Sequence, residues 1–323
     1  MKTFSIAGLE IKNRYVQAPL AGYTAFAMRE MARIYGAGLT YTEMTSCTAL
    51  NYHNKKTYQM MPHKKEDGPV AFQIFGGDEE NIFRAIPFIN DNSVFDFLDF
   101  NLGCPAKKVL KQKAGSYWLT KPDELYRMMR KAVMLSSRPV IAKIRIGYDS
   151  VNLLTVGKLL SEAGVKCLAV HGRTTKEGFV GPVHYDLIGE LKRNLSIPII
   201  ANGNIDVSDI DEVEKITGAD AFMIGRGAVG NPKIFEDLIN HEEGREIRKT
   251  DIYEQIDNIV RHLDMQIEEK GEEPACSVLR GLSTFYLKGL PDVKQLKIKL
   301  VRCSSRQDYI DVLDPYLKKN RKI

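Results

Sequence analysis

No two of the five cysteines (Cys47, Cys104, Cys167, Cys276 and Cys303) stand at Cys-x-x-Cys spacing, and their number is odd. That argues against a disulfide framework or a zinc knuckle, calls for no metal, and predicts a reducing, cytoplasmic setting. No run of about 18 apolar residues occurs, and the stretch 1–15 has no apolar signal core, so neither a membrane span nor export is expected. Large charge of one sign is also missing. Lys and Arg number 46 against 41 Asp and Glu, a net +5 that is too mild by itself to argue for nucleic acid. With 44% hydrophobic and 27% charged residues, disorder and low complexity are excluded. The 323 residues suffice for one large domain, or a large one with a small one.

What is present is a rhythm. Short apolar runs recur at 15–18, 39–42, 70–74, 97–102, 140–146, 167–170, 199–201 and 221–224. Most are nearly continuous in hydrophobicity, as strands buried on both faces are. Helix signals lie between them. Pro122 opens a stretch with Leu125, Met128, Met129 and Ala132 on one side, and Ser208 precedes Ile210, Val213 and Ile216 before Gly218. Strand and helix alternating eight times predict a (β/α)8 TIM barrel. The doubly wound open sheet is the competing fold, but the first strand runs into Ala18-Pro19-Leu20-Ala21-Gly22, with no Gly-x-Gly-x-x-Gly. From Asp251 onward the spacing of Ile252, Ile256, Val260, Leu263 and Ile267 is helical, and no strand-like run follows. Further helices are expected over 277–288, 293–302 and 305–319, the last bent at Pro315. The predicted organisation is a barrel over 1–240, a polar linker over 241–250 and a small all-helical domain over 251–323.

Charge is uneven between these parts. From Arg280 to Ile323 there are 11 Lys/Arg and 4 Asp/Glu, which leaves the rest of the chain slightly acidic. A basic helical tail suits a polyanion, although Lys294, Lys297, Lys299 and Arg302 would equally form a solvated helix face.

Barrel chemistry belongs to the carboxyl ends of the strands, whose loops converge over one mouth. The residues there are Pro19, Leu20 and Ala21, then Glu43, Gln73, Asn101 with Cys104, Lys143 with Arg145, His171, Asn202-Gly203-Asn204, and Gly225-Arg226. Nearly all donate hydrogen bonds, titrate or let the backbone approach a ligand. The last two sets follow the seventh and eighth strands, where barrels commonly bind phosphate through backbone N–H groups. Lys143 and Arg145 alternate on one face of an apolar strand. Such cations need an anion, either Glu43 or Asp99 or a bound group. Cys104 precedes Pro105 on a mouth loop, whereas the other four cysteines read as packing residues. His171 is either a core histidine or a ligand donor.

Several ordered motifs carry a resemblance. They are Gln-Ala-Pro-Leu-Ala-Gly-Tyr-Thr (17–24), Phe-Gln-Ile-Phe-Gly (72–76), Asp-Phe-Asn-Leu-Gly-Cys-Pro-Ala (99–106) and Lys-Ile-Arg-Ile-Gly (143–147). Val-His-Gly-Arg-Thr (170–174), Ala-Asn-Gly-Asn-Ile (201–205) and Ile-Gly-Arg-Gly-Ala-Val-Gly-Asn-Pro (224–232) follow. Together they resemble the flavin-dependent tRNA-dihydrouridine synthases, closest to the bacterial B-type subgroup. The resemblance implies FMN over the barrel mouth. Pro19, Leu20 and Ala21 would meet its ring through backbone and Gln73 its polar edge. Lys143 would face the pyrimidine side, His171 would lie beside the ring, and Asn202, Gly203, Asn204, Gly225 and Arg226 would hold the phosphate.

It further implies reduction of the C5=C6 bond of a D-loop uridine in tRNA, with NADPH (or NADH) as reductant. Hydride would come from flavin N5 to C6, and a proton from Cys104 to C5. Asn101 and Arg145 would read the flipped base, and no protein partner is implied. Three departures stand out: Asn204 replaces the usual Asp, Lys108 replaces a Pro, and Gln112-Lys113 replaces Asn-Gly. The 116–119 segment is also bulkier than usual. The rival readings are a small-molecule dihydropyrimidine or dihydroorotate reductase, a flavin-free RNA-binding barrel, and a phosphate-handling isomerase or aldolase.

Overall fold

A computed structural model describes residues 1–317. Its strands are β1 (Phe4–Ile6), β2 (Leu9–Ile11), β3 (Tyr15–Gln17), β4 (Thr40–Tyr41), β5 (Thr45–Ser46) and β6 (Val70–Phe75). They continue as β7 (Phe97–Leu102), β8 (Val140–Arg145), β9 (Leu168–His171), β10 (Ile199–Asn202) and β11 (Ala221–Ile224). Hydrogen bonding runs in the order β3-β11-β10-β9-β8-β7-β6-β4, all parallel, with β5 also on β6. A parallel bridge between Val16 and Leu39, with the Gln17 N–H on Leu39 O at 2.9 Å, closes the ring. The eight expected strands are those of the barrel. The sequence reading did not anticipate β5 or the antiparallel β1–β2 hairpin.

Two-residue alternation sorts side chains into two layers. Inward lie Val16, Ala18, Leu39, Tyr41, Ala71, Phe97, Ile141, Cys167, Ala169, Ile200, Ala221 and Met223. Phe4, Ile6 and Ile11 of the hairpin pack into this cluster and cap its lower end. Outward residues such as Phe72, Leu98, Phe100, Ile144, Val170 and Phe222 meet the helices. Helix Pro122–Leu135 is representative. Pro122 takes its first turn, where its missing N–H is no loss, with Asp123 and Glu124 beside it. Leu125, Met128, Met129 and Ala132 form its buried stripe. Each large side chain so buried contributes about 1.5–3 kcal/mol. The helix Ile210–Thr217 ends at Gly218 in the left-handed region (φ 56°), but Asp209, not Ser208, takes its N-cap position.

Beyond Glu242 the chain has no helix or strand until Ile252. The helices Ile252–Lys270, Glu272–Tyr286, Lys294–Leu300 and Arg306–Leu317 then share an apolar cluster of their own, which takes in Met28 and Val229 from the barrel side. Pro315 lies inside the last helix. The expected continuation to 319, and the basic residues Lys318, Lys319, Arg321 and Lys322, lie outside the described residues. No described helix is long and apolar enough to cross a membrane.

Candidate active site

The upper ends of the strands turn from apolar to polar on their inward faces. Above Ala71 stands Gln73; above Phe97 stand Asp99 and Asn101; above Ile141 stand Lys143 and Arg145. His171 and Asn202 follow the same alternation on β9 and β10. A cavity of about 1120 Å³ opens over them. Of the fifteen strand-end residues singled out from the sequence, fourteen line it: Pro19, Leu20, Ala21, Gln73, Asn101, Cys104, Lys143, Arg145, His171, Asn202, Gly203, Asn204, Gly225 and Arg226; Glu43 does not. Met44, Phe179, Lys249, Gln255, Phe285, Tyr286 and Lys288 also line it and were not foreseen. For Phe179 a signal existed in an aromatic flanked by Gly178 and Gly181 on the loop after β9. Its ring lies 5.3 Å from the Arg145 guanidinium carbon and 5.0 Å from that of Arg226.

Lys143 stands without a salt bridge among the described residues, and its Nζ donates to Asn202 Oδ1 at 3.1 Å. Glu43 instead accepts the backbone N–H of Gly22. Burial pushes the Asp99 carboxyl well above the usual carboxylate range, against the pull of Gln73 and Lys143. Burial, with Arg145 close by, pushes the Lys143 amine down to about 8. The ion-pair alternatives for Lys143 therefore do not form.

Arg145 is fully buried, and three of its N–H groups are taken. Nε donates to Gly103 O at 2.8 Å, and Nη1 donates to Thr174 O at 2.8 Å and Gly178 O at 2.7 Å. It ties the Cys104 loop to the loop after β9, and Nη2 keeps the donors that remain. Burial, then the cations Lys143, Arg145, Arg173 and Arg226, push His171 down to about 2, so its imidazole is neutral. Its Nε2 lies 3.4 Å from Arg173 Nη1, which can only donate, leaving Nδ1 to carry the ring proton.

The loop bearing Cys104 is braced from behind. Ser116 donates to Cys104 O from its backbone N–H at 3.3 Å and its hydroxyl at 3.0 Å. Trp118, buried in the 3-10 turn Gly115–Thr120, donates Nε1–H to Gly76 O at 2.8 Å. That accounts for the bulk of the 116–119 segment, whose indole seats the turn against the end of β6. The departures also acquire a geometry. Lys113, where the family pattern has Gly, sits at φ 55°, and Asn204, where it has Asp, sits at φ 47°. Both are in the left-handed region, which Asn and Asp tolerate and which costs a lysine about 1–2 kcal/mol. Lys108 falls in the single helical turn Lys107–Leu110.

The family model described as Dihydrouridine synthase (Dus) matches residues 16–321. This chain belongs to the dihydrouridine synthase family. A tRNA-dihydrouridine synthase B of Pasteurella multocida is 38% identical over 291 residues, covering 88% of this chain and 87% of that protein. The protein of the same name from Vibrio cholerae is 34% identical over 96% of this chain and 98% of its own. A probable tRNA-dihydrouridine synthase of Aquifex aeolicus is 33% identical over 93% and 94%. These agree with the B-type resemblance. Among solved structures, a putative lactate oxidase of Pediococcus acidilactici superimposes with a TM-score of 0.50 at 16% identity. It covers 83% of this chain and 75% of that one, a likeness of fold alone.

Proposed function

We propose that this protein is a tRNA-dihydrouridine synthase that reduces the C5=C6 bond of a D-loop uridine, with FMN as cofactor and NADPH as reductant. The observation that carries the reading is one cavity holding Cys104, an unpaired Lys143 and a glycine-lined rim under a wall of C-terminal helices. The residues fit FMN. Lys143 has two N–H groups left for an electron-rich ring edge, and no salt bridge among the described residues occupies it. A Cβ at Gly225 would meet only Ala18 Cβ, at 3.8 Å, so the space beside that backbone is open to a ligand.

Asn202, Gly203, Asn204, Gly225 and Arg226 would hold the phosphate, with Pro19, Leu20, Ala21 and Gln73 at the ring. The chemistry that FMN supplies when bound is hydride transfer between NADPH and the pyrimidine. Cys104 holds the proton for C5 and must keep it until carbanion character develops there. Neutral His171 offers an N–H without adding charge. Asn101 and the free end of Arg145 are the donors for the uracil edge.

A uridine must leave its stack to enter the cavity, so the enzyme has to grip the RNA elsewhere. Residues 251–323 form the tRNA-binding domain in this reading, joined to the catalytic barrel by 241–250. Lys294, Lys299 and Arg302 are exposed, Lys297 is half-buried, and none of the four is in a salt bridge among the described residues. A free pyrimidine would give them nothing to hold, which disfavours a small-molecule reductase. The test is a map of dihydrouridine in tRNA from cells with and without the gene, alongside the visible spectrum of the purified protein. Unchanged dihydrouridine in the deletion strain overturns the substrate, and a colourless protein that takes up no FMN overturns the cofactor.

A further inference from the structure

Asp99 lies fully buried on the inward face of β7, in register with Gln73 of β6 and below the cavity floor. Its Oδ2 accepts the Gln73 amide N–H at 2.6 Å. Gln73 Oε1 accepts from Asn101 Nδ2 at 2.8 Å. Asn101 Oδ1 then accepts the backbone N–H groups of Cys104 at 2.9 Å and Gly103 at 3.2 Å. Every bond in this chain runs the same way. One end is fixed by backbone donors that cannot reverse, and at the other the Asp99 carboxyl accepts the last N–H. Turning either amide over would set donor against donor or acceptor against acceptor inside the barrel. Gln73 and Asn101 both line the cavity; Asp99 does not.

We propose that Asp99 is a positioning residue. Acting through Gln73 and Asn101, its carboxyl anchors the far end of the chain that the backbone N–H groups orient, and so holds two cavity-facing amides and the Cys104 loop in place. The role needs an acceptor at Oδ2, not a charge. The other oxygen, Oδ1, has no hydrogen-bond partner and can carry a proton. The cofactor half of this inference rests on the FMN reading; the Cys104 half does not.

The two halves are separated by two measurements on protein stripped of flavin: the FMN dissociation constant, and the rate of alkylation by iodoacetamide. The four other cysteines are buried, so the fast phase reports Cys104. Asp99→Leu removes the acceptor while keeping the branched side-chain skeleton, Asp99→Asn keeps the acceptor without the acid, and Gln73→Leu removes the next link. Both leucine variants should change the alkylation rate by about threefold or more in the same direction, with the double variant no worse than either. They should weaken FMN binding by about tenfold. Asp99→Asn should stay within about twofold of wild type in both measurements, since it preserves the acceptor.

The proposal is overturned if Asp99→Leu alkylates like wild type, if the two leucine effects add, or if Asp99→Asn behaves like Asp99→Leu. Should Asp99→Leu fail to fold, Gln73→Leu must still shift the rate and Asp99→Asn must not; any other pairing overturns it. If the alkylation pattern holds while wild-type protein takes up no FMN, the flavin reading falls and the positioning role stands.

Discussion

Cys104 sits close enough to Lys143 and Arg145 for both to feel its sulfur, and its loop is braced by Asn101, Ser116 and Arg145. A thiol placed so is held by others and holds little itself. Cys104→Ala should therefore retain FMN and NADPH oxidation while losing dihydrouridine formation by at least about 100-fold, the scale of a positioned general acid. Single-turnover assays on tRNA beside NADPH consumption check this, and full tRNA turnover by the variant refutes the role. At this scale the site was legible because alternation along β8 puts Lys143 and Arg145 on one face whatever the loops do. The fastening of Arg145 was not legible. Its partners Gly103, Thr174 and Gly178 lie on two loops whose paths no local spacing encodes. Nor was the depth at which Asp99 is buried, which the sequence offered as a counter-ion and whose carboxyl burial pushes well above the usual carboxylate range.

The elements were read where hydrophobic runs are continuous and missed where they are short. The barrel strands, even the short β3 and β4, lie in nearly continuous apolar runs, whereas β5 (Thr45–Ser46) is polar and the β1–β2 hairpin alternates over only three residues in each strand. Yet the hairpin closes the barrel's lower end, and it is Phe4, Ile6 and Ile11 that do so. The seam between barrel and tail was also invisible, because it depends on contact between distant segments. Gly230 (φ 66°) lies so close to the helix Glu272–Tyr286 that a Cβ would come within 2.5 Å of Phe285 C and Tyr286 N. Gly230→Ala should cost about 2–5 kcal/mol, the sum of a left-handed alanine and a backbone clash, measured by urea unfolding.

Further inside, His262 Nδ1 is 2.8 Å from the Tyr286 hydroxyl, and burial pushes the imidazole down to about 3. Its folded value lies below the unfolded one near 6.5. The stability it contributes is thus complete above that pH and is lost as pH falls toward 3. Relative to His262→Gln, the wild type should lose up to about 1.4 kcal/mol per pH unit below 6. Parallel unfolding curves for the two proteins from pH 7 to 5 would contradict this.

At the scale of the molecule the two halves divide the work by charge and shape. The barrel sets Lys143, Arg145 and Arg226 around the cavity, while the chain before Arg280 is slightly acidic as a whole; the tail carries the net positive charge. Two of the tail's arginines are tied down. Arg280 donates to Cys303 O at 2.7 Å, and Arg306 grips Asp264 at 2.6 Å, so they hold helices together. Lys294, Lys297, Lys299 and Arg302, on or just after the helix Lys294–Leu300, have no such task. If they meet tRNA phosphates, each contact releases counterions, and the logarithm of affinity falls with the logarithm of salt by about 0.7–0.9 per phosphate. Replacing all four by Gln should therefore flatten that slope by about 3 and weaken tRNA binding more at low salt than at high. FMN content and NADPH oxidation should not change, because none of the four lines the cavity. A slope unaltered by the four substitutions would make this helix a solvated face after all and move the RNA grip to Lys249 and Lys288 at the cavity rim, where the barrel and the helices meet.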